Sequence, residues 1–275
     1  MTRLSVSNLA WADAPLDNIA PRLNKLGLDG VELAPTAIWP HAPNVPSREV
    51  HEYAQRWSDH GLAVSGIQSL LYGHPEFRLF DRASWPGMRE HLRSMIRLAF
   101  DLGAHIVVFG SPKNRVRGEL GYTEANAMSS EFFTSLLPVL AECGVVLTLE
   151  PNAPAYGADY LTHYADTVTL SDLIASPWIQ PQLDTGCLTM VGDDPAEAIR
   201  TQIPAHVHIS TPNLLPPPGH VDHIALQEAL VSSRYRGWVV LEMLPATTDP
   251  IAAVAESAKW LTEIYRSSKP DHGAH

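Results

Sequence analysis

The sequence is poor in cysteine and has no long apolar run. Its two cysteines, Cys143 and Cys187, cannot build a disulfide framework, so we expect a reducing compartment, the cytoplasm. No apolar segment approaches the roughly 18 residues that a membrane-spanning helix needs. Residues 1–11 also lack the continuous apolar stretch of a secretory signal. These absences predict a protein that is neither exported nor inserted into a membrane.

Basic residues are also scarce, and glycine-rich phosphate loops are missing. Lys and Arg total 19 against 30 Asp and Glu, a formal net charge of −11, so the averaged electrostatic field repels nucleic acid and anionic lipid. The sequence has neither the GxGxxG pattern of dinucleotide sites nor the GxxxxGK pattern of nucleoside triphosphate sites. We therefore expect a small neutral or metal-bridged ligand, with no nucleic-acid or membrane partner.

Short apolar or β-branched runs alternate with longer helical patterns along the chain. Eight runs are predicted as strands, beginning near Leu4, Gly30, Ala63, His105, Val145, Ile179, Ala205 and Gly237. An open doubly wound sheet can be written from the same alternation, but eight comparably spaced strands followed by a last helix favour closure. We predict an α/β protein with a single (β/α)8 TIM barrel over residues 1–266, followed by a flexible polar tail over residues 267–275.

Four of the predicted helices can be bounded from apolar periodicity and glycine stops. They are Asp17–Leu26, Trp85–Leu102, a helix from about Thr123 that stops at Gly144, and Pro250–Arg266. In the third, apolar residues recur at helical spacing from Ala125 to Leu140. This pattern predicts one continuous helix.

Three predicted strands end on an acid, and a fourth carries a histidine at a similar height. Glu150, Asp184 and Glu242 end the runs VVLTLE, IQPQLD and WVVLE, and His208 lies in AHVHIS. Taken singly, each acid could be a helix cap or a surface charge. Together they occupy four consecutive strands at the carboxyl rim, where barrel active sites are built. Three carboxylates there would repel one another unless a cation lay among them, so we predict a divalent metal site.

The donor set indicates which metal ions and ligands suit this site. Three carboxylates and one imidazole suit Mn²⁺ best in our interpretation, with Mg²⁺, Co²⁺ or Zn²⁺ as alternatives. Side chains alternate along a strand, so Glu150 shares a face with Thr148, and Glu242 with Val240. Both acids can therefore point inward. Open coordination positions would accept the hydroxyl and carbonyl oxygens of a small polyhydroxy-carbonyl substrate.

Six short segments resemble one known family in their order and spacing. They are Gly30–Leu33 (GVEL), Leu147–Pro151 (LTLEP), Leu183–Gly186 (LDTG), His206–His208 (HVH), Gly219–Asp222 (GHVD) and Leu241–Glu242 (LE). The chain resembles the xylose isomerase-like TIM-barrel superfamily, also called the sugar phosphate isomerase/epimerase family and related to endonuclease IV. The resemblance extends from Leu4 to about Tyr265.

The resemblance implies an activity and a role for two of the acids. It implies a metal-dependent isomerase or epimerase of carbohydrate metabolism that holds its ion through Glu150, Asp184, His208 and Glu242. The two glutamates would be the acid/bases, one removing a proton beside the carbonyl and the other returning one through a cis-enediolate. It also implies that the protein could form a homo-oligomer. Glu32 is expected to support the rim through hydrogen bonds.

Further polar or aromatic residues fall near predicted strand ends, and we predict that they contact substrate. They are Trp11, Gln68, His74, Lys113, Arg115, Asn152, Cys187 and His220. Lys113 and Arg115 form a basic cluster that could hold a phosphate or carboxylate, or could be a solvated loop. For His74 and His220 an ordinary loop role is the alternative. Cys187 and Leu214 stand where many relatives have His and Arg, so the substrate cannot be copied from the family.

Three other functions remain to be weighed. A metal-assisted dehydratase or other lyase would use the same enediolate and expel a β-hydroxyl. A non-catalytic sugar-binding subunit would keep the barrel without turnover, although two bases around a metal serve no purpose in a binder. An endonuclease-like trinuclear centre is disfavoured, because Gln68 and Phe109 stand where additional histidine ligands would be needed.

Overall fold

Eight parallel strands close into a barrel in the computed structural model, which describes residues 2–11 and 14–266. The strands are β1 Arg3–Ser7, β2 Gly30–Leu33, β3 Ala63–Ile67, β4 Ile106–Phe109, β5 Val146–Leu149, β6 Ile179–Asp184, β7 His206–Ile209 and β8 Trp238–Leu241. Each pairs with the next along the chain, and β1 closes the ring by pairing with β8. The predicted TIM barrel is confirmed. The predicted tail, residues 267–275, lies outside the described residues.

Ten α-helices accompany the strands in the described part of the chain. They are α1 Leu16–Lys25, α2 Ser47–Asp59, α3 Trp85–Asp101, α4 Tyr122–Thr134, α5 Leu137–Cys143, α6 Tyr164–Ile174, α7 Thr185–Val191, α8 Pro195–Thr201, α9 His223–Ser232 and α10 Pro250–Tyr265. Short 3-10 turns follow β1, β2, β4, β5 and β7. Among these ten helices, none is both long enough and apolar enough to cross a membrane.

The helix predicted from Thr123 to Gly144 is interrupted, and the prediction of one continuous helix is wrong at this point. α4 ends at Thr134 and α5 begins at Leu137. Pro138 has no N–H to donate to the carbonyl of Thr134, and its ring would clash with that carbonyl in a continuous helix. In the first turn of α5 the missing donor costs nothing. The apolar residues on both sides of the break nevertheless remain buried.

The barrel interior contains several fully buried polar side chains. Ser5 and Ser65 lie 2.7 Å apart across the lower part of the barrel, and Thr148 donates to Gln182 Oε1 at 2.5 Å. Because an unpaired polar group in a dry interior is costly, each of these side chains must find a partner inside the barrel. The second pair starts a polar path toward the carboxyl-end rim, because Gln182 Nε2 also donates to Glu150.

Candidate metal centre

Four side chains from four adjacent strands meet at the carboxyl-end rim. Glu150 follows β5, Asp184 ends β6, His208 lies in β7 and Glu242 follows β8. One ligand atom of each lies within 4.8 Å of those of the other three. His208 Nδ1 is 3.0 Å from Glu150 Oε1, 3.3 Å from Glu242 Oε2 and 3.9 Å from Asp184 Oδ2. The four predicted ligands therefore form one compact and almost completely buried cluster.

Asp184 is fixed from two directions. Its Oδ1 accepts the backbone N–H of Cys187 at 2.6 Å, which makes Asp184 the N-terminal cap of α7. Its Oδ2 accepts the hydroxyl of Ser210 at 2.8 Å, and that same hydroxyl oxygen accepts the N–H of Gly186. Asp184 therefore both caps α7 and belongs to the rim cluster, because β6 ends directly where α7 begins.

Glu150 is held by two side-chain amides and by close packing. Gln182 Nε2 donates to its Oε1 at 2.9 Å, and Asn152 Nδ2 donates to its Oε2 at 2.9 Å. Gly110, the residue after β4, lies against the same carboxylate, and a Cβ atom added there would stand 2.3 Å from Glu150 Oε2. Only glycine leaves room for the carboxylate in this position.

His208 is oriented from below by a buried acid. Its Nε2 lies 2.9 Å from Glu32 Oε2, and Glu32 Oε1 interacts with His206 Nε2 at 2.7 Å. Burial by itself would raise the pKa of Glu32, but His208 and His206 outweigh it and lower this pKa to about 2. An ionised carboxylate at Nε2 favours the proton on that nitrogen and leaves Nδ1 to face the three acids.

The electrostatics of the cluster fit a cation. Burial, reinforced by Glu150 and Glu242, raises the pKa of Asp184 to about 7, and burial also raises the pKa of Glu242. Burial would lower the pKa of His208, yet Glu32 and Glu242 raise it well above 6.5. The fully buried His208 Nδ1 has no well-aligned hydrogen-bond partner. A divalent ion would relieve the carboxylate repulsion and occupy this nitrogen, so the residues present fit a metal ion.

We expect metal affinity to rise with pH from 5.5 to 7.5. The raised pKa of Asp184 means that this carboxyl is protonated below pH 7 before a metal ion binds, and a ligand must lose its proton to bind. Each unit of pH below 7 should weaken binding about tenfold for one released proton. Calorimetric titration of Mn²⁺ at pH 5.5, 6.5 and 7.5, in buffers of different ionisation enthalpy, measures affinity and proton release together. An affinity that stays constant over this range would contradict the expectation.

A second group of possible ligands lies deeper and shares His208 with the first. Glu32, His206 and His208 offer atoms within 4.8 Å of one another, and all three are fully buried. Glu32 lies between the two imidazoles, with a hydrogen bond to His206 Nε2 and an ion-pair contact of 2.9 Å to His208 Nε2. We interpret this group as the layer that supports the rim cluster, in agreement with the role expected for Glu32.

Three of the predicted substrate contacts follow strands at the carboxyl-end rim, and two of them, Asn152 and Cys187, lie beside the cluster. Asn152 bonds to Glu150, and its Nδ2 lies 3.9 Å from Cys187 Sγ. Burial, with Asp184 and Glu150 nearby, strongly raises the pKa of Cys187, so the thiol stays protonated. Gln68 Nε2 donates to Ser7 Oγ at 2.5 Å. These residues stand at the barrel mouth, where substrate contact stays a prediction.

The other predicted contacts lie in different surroundings. Trp11 is 5% exposed and packs with its ring centre 6.2 Å from that of Trp57. His74 lies in the loop after β3 with its Nδ1 2.8 Å from Glu76 Oε1. His220 is exposed in the loop after β7. Contact between any of these three and a substrate also stays a prediction.

The structure separates the predicted basic cluster into two different environments. Lys113 is exposed, whereas Arg115, two residues later in the same 3-10 turn, is fully buried. Burial lowers the pKa of Arg115 to about 10, although Glu150 nearby opposes the shift. The only bond to its guanidinium within the described residues is from Nη2 to Leu161 O at 3.4 Å. Of the two cations, Lys113 alone is open to a ligand.

Three residues of the site were not singled out from the sequence. Gln182 and Ser210 bond directly to carboxylates of the four-residue cluster, and His206 bonds to Glu32. Strand alternation could have found them, since Gln182 and His206 each stand two residues before a predicted ligand, and Ser210 two residues after one. At the ends of β3 and β4 stand Gln68 and Phe109, so these strands add no further metal ligands there.

We compared the chain with known protein families and solved structures. The model of a family described as xylose isomerase-like TIM barrel matches residues 21–264. A D-psicose 3-epimerase from Clostridium cellulolyticum H10, solved with D-tagatose, is 17% identical with a TM-score of 0.79, covering 96% of this chain and 98% of the epimerase. A 3-keto-D-glucoside 4-epimerase from E. coli is 20% identical with a TM-score of 0.75, covering 96% and 100%.

A third similar structure is of a protein named for different chemistry. It is an AP endonuclease, family 2, from Brucella melitensis, 19% identical with a TM-score of 0.76, covering 96% of this chain and 99% of that one. No curated protein matches the sequence. At these identities the solved structures show that the fold is shared.

Proposed function

Since the chain belongs to the xylose isomerase-like TIM-barrel family, we propose that it is a divalent-metal-dependent isomerase or epimerase of a polyhydroxy ketone. The observation that supports this proposal is the pair Glu150 and Glu242, two carboxylates that lie 3.0 and 3.3 Å from the same nitrogen of His208 in one cluster. Similar solved structures include epimerases of ketose sugars and of a keto-glucoside. We infer that the same class of substrate binds here.

The metal ion would be held by Glu150, Asp184, His208 and Glu242. We propose Mn²⁺, because oxygen-rich sites with one imidazole suit it, and Mg²⁺, Co²⁺ or Zn²⁺ are the alternatives. A divalent ion in this position would supply Lewis-acid polarisation of the substrate carbonyl. The free cysteines, both buried, suit a reducing compartment, so the cytoplasm remains our proposed location.

The chain's own residues account for the proton transfers. One of the two glutamates removes the proton from the carbon beside the carbonyl, which gives a cis-enediolate. Glu150 and Glu242 follow strands three places apart around the ring, so they approach a substrate from different sides. Return of a proton by the second glutamate to the opposite face inverts the carbon. Return to the neighbouring carbon isomerises the substrate.

Four polar side chains take no part in proton transfer in this scheme: Gln182, Asn152, Ser210 and Glu32. They hold the reacting groups in place through the hydrogen bonds described above. Such positioning matters because a displacement of about 1 Å can reduce a rate by about a hundredfold. Burial raises the pKa of Glu242, which makes this carboxylate a stronger base for the proton that it must accept and return.

The proposal is tested with the wild-type protein and a panel of ketoses and ketone-bearing cyclitols in deuterium oxide. We expect one bound divalent ion per chain, deuterium incorporation beside the carbonyl and a new stereoisomer or positional isomer. Chelation should abolish the exchange and Mn²⁺ should restore it. A dehydrated product would favour the lyase alternative, and sugar binding by metal-free protein without exchange would favour a binding subunit. Failure to bind any divalent ion after repletion would overturn the proposal.

A further inference from the structure

One buried cation among the described residues has no acidic partner. Arg115 ends the 3-10 turn Pro112–Arg115 after β4, and its side chain is fully buried. Its Nε and Nη1 have no hydrogen-bond partner within the described residues. A buried charge without a partner destabilises a folded protein. The guanidinium therefore needs an explanation other than the stability of the fold.

A single backbone carbonyl connects Arg115 to the rim cluster. Leu161 O accepts Arg115 Nη2 at 3.4 Å and the backbone N–H of Asn152 at 3.1 Å. Asn152 in turn donates through Nδ2 to Glu150 Oε2 at 2.9 Å. Leu161 is itself fully buried, and its φ of 54° lies in the left-handed region, which is unfavourable for a leucine. This strained residue holds the guanidinium beside the side chain that fixes Glu150.

The loops after β4 and β5, which supply Arg115 and Leu161, are fastened to each other. The backbone N–H groups of Arg117 and Gly118 donate to the carboxylate of Asp159 at 2.6 and 2.9 Å. Arg117 Nε also donates to Asp159 O at 3.0 Å. Because three hydrogen bonds join the two loops, Arg115 is held in place before any ligand binds. A charge that is fixed in advance does not have to reorganise when the charge of a bound molecule changes.

The charges of Arg115 and of Glu150 act on each other. Burial lowers the pKa of Arg115 to about 10, and the negative charge of Glu150 opposes this shift. The guanidinium therefore keeps its charge at neutral pH. The interaction is reciprocal, so the positive charge also acts on Glu150 and on a molecule bound beside it. The low dielectric constant of a buried site strengthens this effect.

A cation in this position has opposite effects on two kinds of ligand. It repels a divalent metal ion that binds at Glu150, and it attracts the negative charge that develops on a substrate when a proton is removed. A side chain that only supported the fold would assist the binding of both, because its loss would displace Asn152 and Glu150. The direction of the change in metal affinity therefore distinguishes an electrostatic role from a structural one.

We infer that Arg115 is a positioning residue of the proposed reaction, a fixed cation that acts across Asn152 and Glu150 and favours negative charge on the substrate during proton transfer. The inference rests on the proposed function and adds to it a residue that touches neither the substrate nor the metal ion. It also explains why a guanidinium is kept inside the protein without an acid to pair with, since a paired charge would have little effect beyond its partner.

Two variants separate the charge of Arg115 from its size: Arg115→Met removes the charge, and Arg115→Lys keeps it. In calorimetric titration Arg115→Met should bind Mn²⁺ as tightly as the wild type or up to about tenfold more tightly. Its midpoint in urea unfolding should be equal or higher, because an unpartnered buried charge has been removed. The matched control Arg22→Met, which removes an exposed arginine on α1, should equal the wild type in both measurements.

The effect on negative charge is measured with acetohydroxamate, a small metal ligand that binds as an anion and does not react. Its affinity for the Mn²⁺-loaded protein should be about 10- to 100-fold lower in Arg115→Met and within about fivefold of the wild type in Arg115→Lys. The rate of solvent-deuterium exchange into the substrate at saturating Mn²⁺ should fall by a similar factor in Arg115→Met, with the same recovery in Arg115→Lys.

Weaker Mn²⁺ binding by Arg115→Met together with a lower urea midpoint would assign Arg115 to the support of the fold and overturn the inference. Unchanged acetohydroxamate binding by Arg115→Met would also overturn it. If acetohydroxamate binds as expected but no sugar exchanges deuterium in the wild type, the effect of Arg115 on bound anions stands and the proposed catalysis fails.

Discussion

Replacing Glu242 with Gln is expected to lower the rate of solvent-deuterium exchange into the substrate by about 10²- to 10⁴-fold. The amide keeps the shape of the side chain but cannot accept the proton at neutral pH. Glu242 lies 3.3 Å from His208 Nδ1, so the variant should also bind the metal more weakly. Exchange is therefore measured by proton NMR at saturating Mn²⁺, with the metal content of each sample determined in parallel.

The matched control for this experiment is Glu228→Gln on the exposed face of α9. It makes the same chemical change away from the rim and should exchange deuterium as the wild type does. Exchange in Glu242→Gln at the wild-type rate, with the metal bound, would remove Glu242 from the proton-transfer step. The mechanism would then need another base.

Replacing Glu32 with Ala is expected to destabilise the fold by about 3–5 kcal/mol, because two buried histidines lose their acidic partner. It should also weaken metal binding by about 10- to 100-fold, since Glu32 orients His208, one of the proposed metal ligands. Urea unfolding at pH 7 measures the first effect and metal titration measures the second. Glu52→Ala, which removes an exposed acid on α2 that pairs with Arg48, should change stability by no more than about 0.5 kcal/mol.

The contribution of Glu32 has a defined dependence on pH. Its pKa is about 2 in the folded protein against 4.5 for the free side chain, so its contribution is fully present above pH 4.5. It is lost progressively as the pH falls toward 2. The difference in stability between the wild type and Glu32→Ala should therefore shrink below pH 4.5. Equal stability of Glu32→Ala and Glu52→Ala at pH 7 would show that the buried acid does not support the fold.

The strands and the four clustered residues were accessible from sequence because they depend on local patterns. Every observed strand begins within one residue of its predicted start. Short β-branched runs bounded by helical patterns are compatible with few secondary structures other than a strand. Parallel strands in a closed ring then bring their carboxyl ends to one rim, so Glu150, Asp184, His208 and Glu242 converge once the topology is correct. Strand register and barrel topology are therefore enough to predict this part of the site without any knowledge of side-chain packing.

The loops and the interior pairs were not accessible in the same way. Lys113 and Arg115 are separated by one residue in a turn without periodicity, and nothing in the sequence indicates that one side chain is exposed and the other buried. The bond between Thr148 and Gln182 depends on which residues face each other across the barrel. The end of α4 was missed because the apolar stripe continues through the break, whereas Pro138 ends the backbone hydrogen bonding.

The polar path inside the barrel limits how this protein can diverge. Thr148 contacts Gln182, Gln182 contacts Glu150, and Glu150 contacts His208, so a change at any one of them disturbs both the fold and the chemistry. We therefore expect substitutions at these positions to be tolerated only in combination. The exposed residues of the loops after β3 and β4, such as Tyr72 and Lys113, make no such contacts, and a new substrate preference can arise there by single substitutions. An effort to redirect this barrel to another sugar should therefore draw its library from these exposed loop residues and leave the strand interiors untouched.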